Sequence, residues 1–557
     1  MPRRKAGLMP WPAHGRNRGN PTGHALVSAF RTNYAGSAID GFHTSDGHWG
    51  VMSVAGGSGL EGRTRAVAGS AAESPAGAAD RPEVGSGTVD AGVQGAFQRR
   101  VTSLAGLVLL AAVTTGLLGQ GAYYAPVQRL VGGLVAVAAV LALVASPPTR
   151  GDVRFLVVPA SALAAWGVLD AVLLGVPIGG AVRLAVLLLG VVAVLLTCRR
   201  LSSEDRDVLL TGVTAVGLLV ALTGWLGVAG RVSAWAWEGD GIWRASSTLS
   251  YPNAAAAVLV PLALLVLARL TETPRSALLA LAATGLLAGS AATMSRAGAL
   301  ALAVGLMALA WLRGPGRTVR AAVGPCAGAL VVVGALLPSI PAANPPRPVL
   351  ALVGLAAGLT LAAVSARLPR RLAVAVPACV LLIACLGALA LAGRGPDGAA
   401  GLVAQSRVTL TSPDRSAAMH AALHLTAAHP LTGTGPGQAE LQWRGSDGVI
   451  RFFGYAHNEY IQSAAEIGLV GLVLLASLLV ALARLLWGAR ATSPHPAAWT
   501  GTVAATAAFA VHSGFDFIWH LPAVVLTVLL LTGAMLPAPA HTNASRTSQL
   551  SRGESDK

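Results

Sequence analysis

About fourteen stretches of some twenty residues, each almost unbroken in apolar side chains, constrain this 557-residue chain more than any other feature. A helix rises about 1.5 Å per residue, so roughly 20 apolar residues cover the ~30 Å hydrocarbon layer of a bilayer. The stretches run over about 101–119, 127–145, 155–174, 180–198, 208–229, 253–269, 276–293, 298–312, 320–337, 347–365, 372–392, 463–487, 498–515 and 521–536. Only 11% of the residues are charged, against about 25% in an ordinary soluble domain. That deficit excludes a water-soluble globule, and the abundance of Leu and Val excludes a disordered chain. The expected fold is all-α, a polytopic transmembrane helix bundle.

The short loops set the expected orientation through their basic residues. One alternating set carries Arg150 and Arg154, then Arg199, Arg200 and Arg206, then Arg269 and Arg275. It continues with Arg313, Arg317 and Arg320, with Arg367, Arg370 and Arg371, and with Arg484 and Arg490. The opposite short loops, 120–126, 175–179 and 338–346, are nearly free of them. The first set is therefore expected in the cytoplasm, and so are both termini. Residues 1–100 are expected to form a disordered cytoplasmic extension, and 537–557 a disordered tail. No signal peptide is expected, because no apolar core follows Arg3-Arg4-Lys5. Spans 1–11 fill 101–392, and spans 12–14 fill 463–536. The long external loop between spans 11 and 12 covers 393–462. Within it, 415–430 reads either as an amphipathic helix lying on the membrane or as a packed external cap.

Several chemistries are excluded. Lys5 and Lys557 are the only lysines, so neither a phosphate-binding Gly-Lys-Ser/Thr loop nor a membrane-embedded Schiff base is possible. The arginines are scattered over short loops and form no basic stripe, which argues against nucleic acid despite the net charge of +16. Cys198, Cys326, Cys379 and Cys385 lie in apolar stretches without metal-ligand spacing. They read as small buried hydrophobes, and no metal is expected.

The remaining polar residues gather on the outer side. Arg244 precedes Tyr251-Pro252-Asn253, and Ser295-Arg296-Ala297-Gly298 forms a tight turn. Arg407 and Arg415 lie in the long loop, His457-Asn458-Glu459 closes it, and Glu466 follows. His512, Asp516 and His520 sit at the last outer turn. A transporter would instead carry its substrate groups near the midplane. Arg296 reads either as an interfacial anchor or as a phosphate ligand, for which the planar guanidinium is suited. With Arg244 and Arg415 it could clamp a diphosphate. His457 could take a proton from a hydroxyl, with a carboxylate such as Glu459 or Glu466 holding its tautomer. Glu466 reads equally well as a buried structural acid. The run Gly433-Thr434-Gly435-Pro436-Gly437 reads mainly as a turn, since Pro436 interrupts its amide donors.

His457-Asn458-Glu459-Tyr460-Ile461-Gln462, followed by Glu466-Ile467-Gly468 and Gly471, resembles the signature of the O-antigen ligase family. The preceding His429-Pro430-Leu431-Thr432-Gly433, the Arg296 turn, the Arg244 segment and His512-Ser513-Gly514-Phe515-Asp516 are similar to further pieces in the same order. The resemblance covers roughly 240–530. It implies a GT-C-like glycosyltransferase, without metal or cofactor, at the outer face of the cytoplasmic membrane. The implied substrates are a glycan on undecaprenyl diphosphate and a glycan, lipid or protein acceptor. By the same resemblance His457 and Glu466 are catalytic, and Arg244, Arg296, Arg415 and Asn458 bind the diphosphate or substrate. A polymerase of the same family, or a flippase or exporter of lipid-linked glycans, is the alternative. About fourteen spans and the N-terminal extension exceed the family's usual size.

Overall fold

Proline at or beside the first helical position starts seven of the described helices, where its missing N–H costs no hydrogen bond. The computed structural model describes residues 86–239, 241–392, 413–445, 448–493 and 495–538. The expected N-terminal extension up to residue 85, loop residues 393–412 and the tail from 539 lie outside the described residues, Arg407 among them.

The helices are α1 (Ser86–Leu118), α2 (Ala125–Ala145), α3 (Arg150–Leu174), α4 (Gly179–Arg200) and α5 (Ser203–Gly230). A hairpin of β1 (Ala236–Gly239) and β2 (Ile242–Ala245) leads into α6 (Pro252–Glu272). Next come α7 (Ala277–Ala292), α8 (Arg296–Arg313), α9 (Pro315–Leu336), α10 (Pro348–Arg367) and α11 (Arg370–Ala392). A short helix α12 (Pro413–Ala428) and a hairpin of β3 (Leu441–Arg444) and β4 (Ile450–Phe453) precede α13 (Glu459–Gly488), α14 (Pro496–Ser513) and α15 (Pro522–Met535).

Every apolar stretch read from the sequence falls on one of these helices. Among the described residues, ten helices are long and apolar enough to cross a membrane. Helices α7 and α15 are apolar but shorter. Helix α1 begins at Ser86 and so extends further upstream than the expected start at 101.

Helix α6 lies at the centre, buried almost continuously from Pro252 to Ala268. Small residues make this possible, because they let helix backbones approach closely. A Cβ on Gly501 of α14 would lie 2.8 Å from both Leu265 Cα and Ala268 Cβ of α6.

The arginine-rich end is tightly stitched. Asp152, fully buried and held by a capping box with Thr149, receives Arg199 and Arg200. Arg199 also reaches the Pro537 carbonyl at 3.0 Å, and Arg200 the Ser146 carbonyl at 2.8 Å. Arg206 donates to the carbonyls of Ala534 (3.0 Å) and Leu536 (2.8 Å). These three arginines are thus buried caps for helix ends, not solvated loop charges. Among the cysteines, Cys198 is buried, but Cys379 is exposed, against the expectation of burial.

Helix α12 settles against the body as a packed cap and does not float on its own. Ala418 and Ala422 form a small core with Leu441, Ala456 and Ala465.

Candidate active site

Asn458 caps α13. Its Oδ1 accepts from the amides of Tyr460 (3.0 Å) and Ile461 (3.1 Å), and its Nδ2 donates to the Gly514 carbonyl at 2.8 Å. That grip ties the start of α13 to the end of α14. His457, one residue earlier, is held in the left-handed region at φ +53°. For a residue with a Cβ this costs about 1–2 kcal/mol. The strained backbone presents the imidazole to Asp516, with Nδ1 2.9 Å from Oδ1. Phe453 and Phe517 meet the ring edge-on.

Asp516 is completely buried. Oδ1 also accepts from its neighbour Phe517 N–H at 2.9 Å. Oδ2 accepts from Tyr251 Oη at 2.7 Å and from Asn253 Nδ2. Arg415 Nη1 stands 3.8 Å away. Burial alone would raise this carboxyl, but the hydrogen bond to His457 and the charge of Arg415 hold it well below the usual carboxylate range. An ionised Asp516 fixes the imidazole tautomer with the proton on Nδ1. In the neutral imidazole this leaves the Nε2 lone pair as the acceptor.

Burial, and then the charge of Asp516, push the Tyr251 hydroxyl up, so it remains a donor. Burial works against the Arg415 charge, but Asp516 and Tyr251 more than offset it and raise the guanidinium. Arg415 Nη2 also lies 3.5 Å from the Tyr251 hydroxyl.

Asn253 continues the network. Its Oδ1 accepts from Arg244 Nη2 at 3.1 Å, while Arg244 Nε donates to the Thr293 carbonyl at 2.9 Å. The buried Arg244 guanidinium lies 5.7 Å from the Trp237 ring centre. Thr293 opens the turn that carries Arg296. Its Oγ1 accepts from Ser295 N–H at 3.2 Å, and Ser295 Oγ accepts from Gly298 N–H at 3.1 Å. Arg296 is therefore the first residue of α8, half-buried at its N-terminus. A continuous chain of bonds thus runs from His457 through Asp516, Asn253 and Arg244 to the Arg296 turn.

Glu466 lies elsewhere. Its carboxylate accepts from Gln462 Nε2 (2.5 Å) and Gly437 N–H (2.9 Å). The Gly433–Gly437 run is a turn clamped on α13: Thr434 N–H bonds the Ala465 carbonyl and Gly435 N–H the Glu466 carbonyl, each at 2.9 Å. The carboxylate beside His457 is therefore Asp516, which the sequence placed at the last outer turn without giving it this role. Glu459 serves neither as that partner nor as a solvated acid. It is buried, accepts from Trp519 N–H, and stands 3.5 Å from His520 Nδ1. Burial disfavours the His520 cation, yet Glu459 raises its proton affinity overall. Asn458 has both ends of its amide engaged by backbone, so it positions His457. Among the described residues no group of three His, Cys, Asp or Glu could hold a metal.

A mostly helical chain with ten helices suited to membrane crossing, carrying this polar network at one end of its bundle, is a multi-pass membrane protein. Residues 348–476 match the family model described as O-antigen ligase, which supports membership in the O-antigen ligase/polymerase-like family and a role in polysaccharide biosynthesis. The matched segment holds Arg415, His457, Asn458 and Glu466. Arg244, Arg296 and Asp516 lie outside it. No curated protein matches the chain.

Proposed function

We propose that this protein is a glycosyltransferase that moves a glycan from undecaprenyl diphosphate to an acceptor hydroxyl. The active site faces the outer side of the cytoplasmic membrane, and the bundle has a GT-C-like arrangement of about fourteen spans. The observation that supports this reading best is the buried Asp516, which joins His457 directly to Tyr251, Asn253 and Arg415, and through Asn253 to Arg244. His457 Nε2 takes the acceptor proton as the acceptor oxygen bonds to the anomeric carbon. The bond from that carbon to the diphosphate breaks, and Asp516 stabilises the imidazolium that forms. Arg296, at a helix N-terminus, and Arg415 meet the charge that grows on the departing diphosphate. Arg244 holds the Arg296 turn in place through Thr293.

The test uses purified full-length protein with lipid-linked glycan and acceptor. Product and free undecaprenyl diphosphate are expected. His457→Ala, folded as judged by its melting curve, should lose about 10²–10⁴ of the rate. Unchanged turnover would refute the assignment. If a second lipid-linked glycan serves as acceptor and chain lengthening results, the enzyme is a polymerase and not a ligase.

A further inference from the structure

At the end of the bundle opposite His457, two adjoining cavities open between the α6–α7 connection, α9, α10 and α11. One holds about 450 Å³ and the other about 510 Å³. They share Arg320 and Arg370, with Arg275 lining the first and Arg371 the second. The floor of the first is apolar: the partly exposed Ala366, Leu368 and Ala373 line it, over a buried cluster of Leu270, Ala280, Ala321 and Ala362.

The charge at this mouth is unbalanced. Nearby acids are already engaged, Glu272 with Arg313 at 2.7 Å and Asp207 with Arg269 at 2.6 Å. Among the described residues no carboxylate forms an ion pair with Arg275, Arg320, Arg370 or Arg371. Arg370 and Arg371 also occupy the first turn of α11, which has no acidic residue. Two cations there oppose the partial positive charge of the helix N-terminus. An anion in the mouth would relieve both conflicts, and an acyl chain would cover the apolar floor.

We propose that this double cavity binds an anionic glycerophospholipid of the surrounding bilayer, its phosphate between Arg320 and Arg370 and one chain on the floor of Ala366, Leu368 and Ala373. Planar guanidinium groups match the phosphate diester, and basic pockets between membrane helices bind such headgroups. Neither the arginines nor the cavity belong to the site around His457, so the proposal stands whether or not the transfer reaction is as described.

The full-length protein, purified in mixed micelles of phosphatidylglycerol and phosphatidylcholine, is examined by native mass spectrometry. Phosphatidylglycerol should be retained preferentially. Arg320→Gln/Arg370→Gln should lower that retention by about fivefold per arginine, from ~1 kcal/mol for each basic residue near an anionic surface. Arg129→Gln, on α2, should leave it unchanged. Equal retention by the double variant, or an equal loss in the Arg129 control, would overturn the proposal. Displacement of the lipid by millimolar inorganic phosphate would also overturn it, because a free anion has no use for the apolar floor. If the double variant does not fold, each single variant is compared by the rise in melting temperature on adding phosphatidylglycerol. A rise as large as that of the unmodified protein counts against the site.

Discussion

At the scale of single residues, backbone strain and chemistry meet at His457. A glycine adopts its left-handed conformation without penalty. His457→Gly should therefore melt at a higher temperature than His457→Ala, although both lose transfer activity. Differential scanning calorimetry of the two variants checks this. Asp516→Asn keeps the shape but removes the charge that selects the tautomer, and a drop of about 10⁴ in rate is expected, as in other His–Asp pairs. The same carboxyl sets an acid limb. Its folded value lies below the ordinary one, so its contribution to stability is fully present above about pH 4. That contribution is lost as pH falls through the depressed value. Melting curves of Asp516→Asn should show a flatter fall in stability over that acid range. Arg296→Lys should impair transfer even at saturating donor, since a point charge cannot reproduce two-point phosphate contact.

At the scale of elements, the clamp between the Gly433–Gly437 turn and α13 explains why the two family-like motifs occur together. Gly468 breaks the regular course of α13 at φ +63°, ψ −174°, and a Cβ there would collide with the Leu431 carbonyl. Gly180 meets the Pro436 carbonyl in the same way. Gly468→Ala should destabilise the protein by at least about 1–3 kcal/mol and shift α13, so both melting temperature and activity should fall together. This clamp was half legible. The sequence shows Gly433, Gly435 and Gly437 as a turn and Glu466 as an acid close to His457 in sequence, but nothing in the spacing says that the turn sits on the Glu466 carboxylate. Helices were legible because apolar runs of twenty residues admit little else in a bilayer. Asp516 was not, because its importance comes from Tyr251, Asn253, Arg415 and His457, which lie up to 265 positions away from it. The capping roles of Arg199, Arg200 and Arg206 were not legible for a related reason: composition shows a basic loop but not the carbonyls it covers.

At the scale of the whole molecule, the two ends of the bundle have opposite characters. One carries the His457 network, the other the arginine cluster around Asp152 and the lipid cavities. Single cysteines at Leu431 and at Arg371, in a background lacking the native thiols, should react with an impermeant reagent from opposite faces of the membrane. Labelling of both from the same side would overturn the assignment of the two ends to opposite faces. The knot around Asp152 joins the α2–α3 link, the α4–α5 link and the end of α15 through buried ion pairs and carbonyls. Buried charges resist separation because parting them exposes each to an apolar surrounding. If the bundle opens to admit the lipid-linked donor of the proposed reaction, these ion pairs put the spring of the clothes-peg at the arginine end and its jaws at His457.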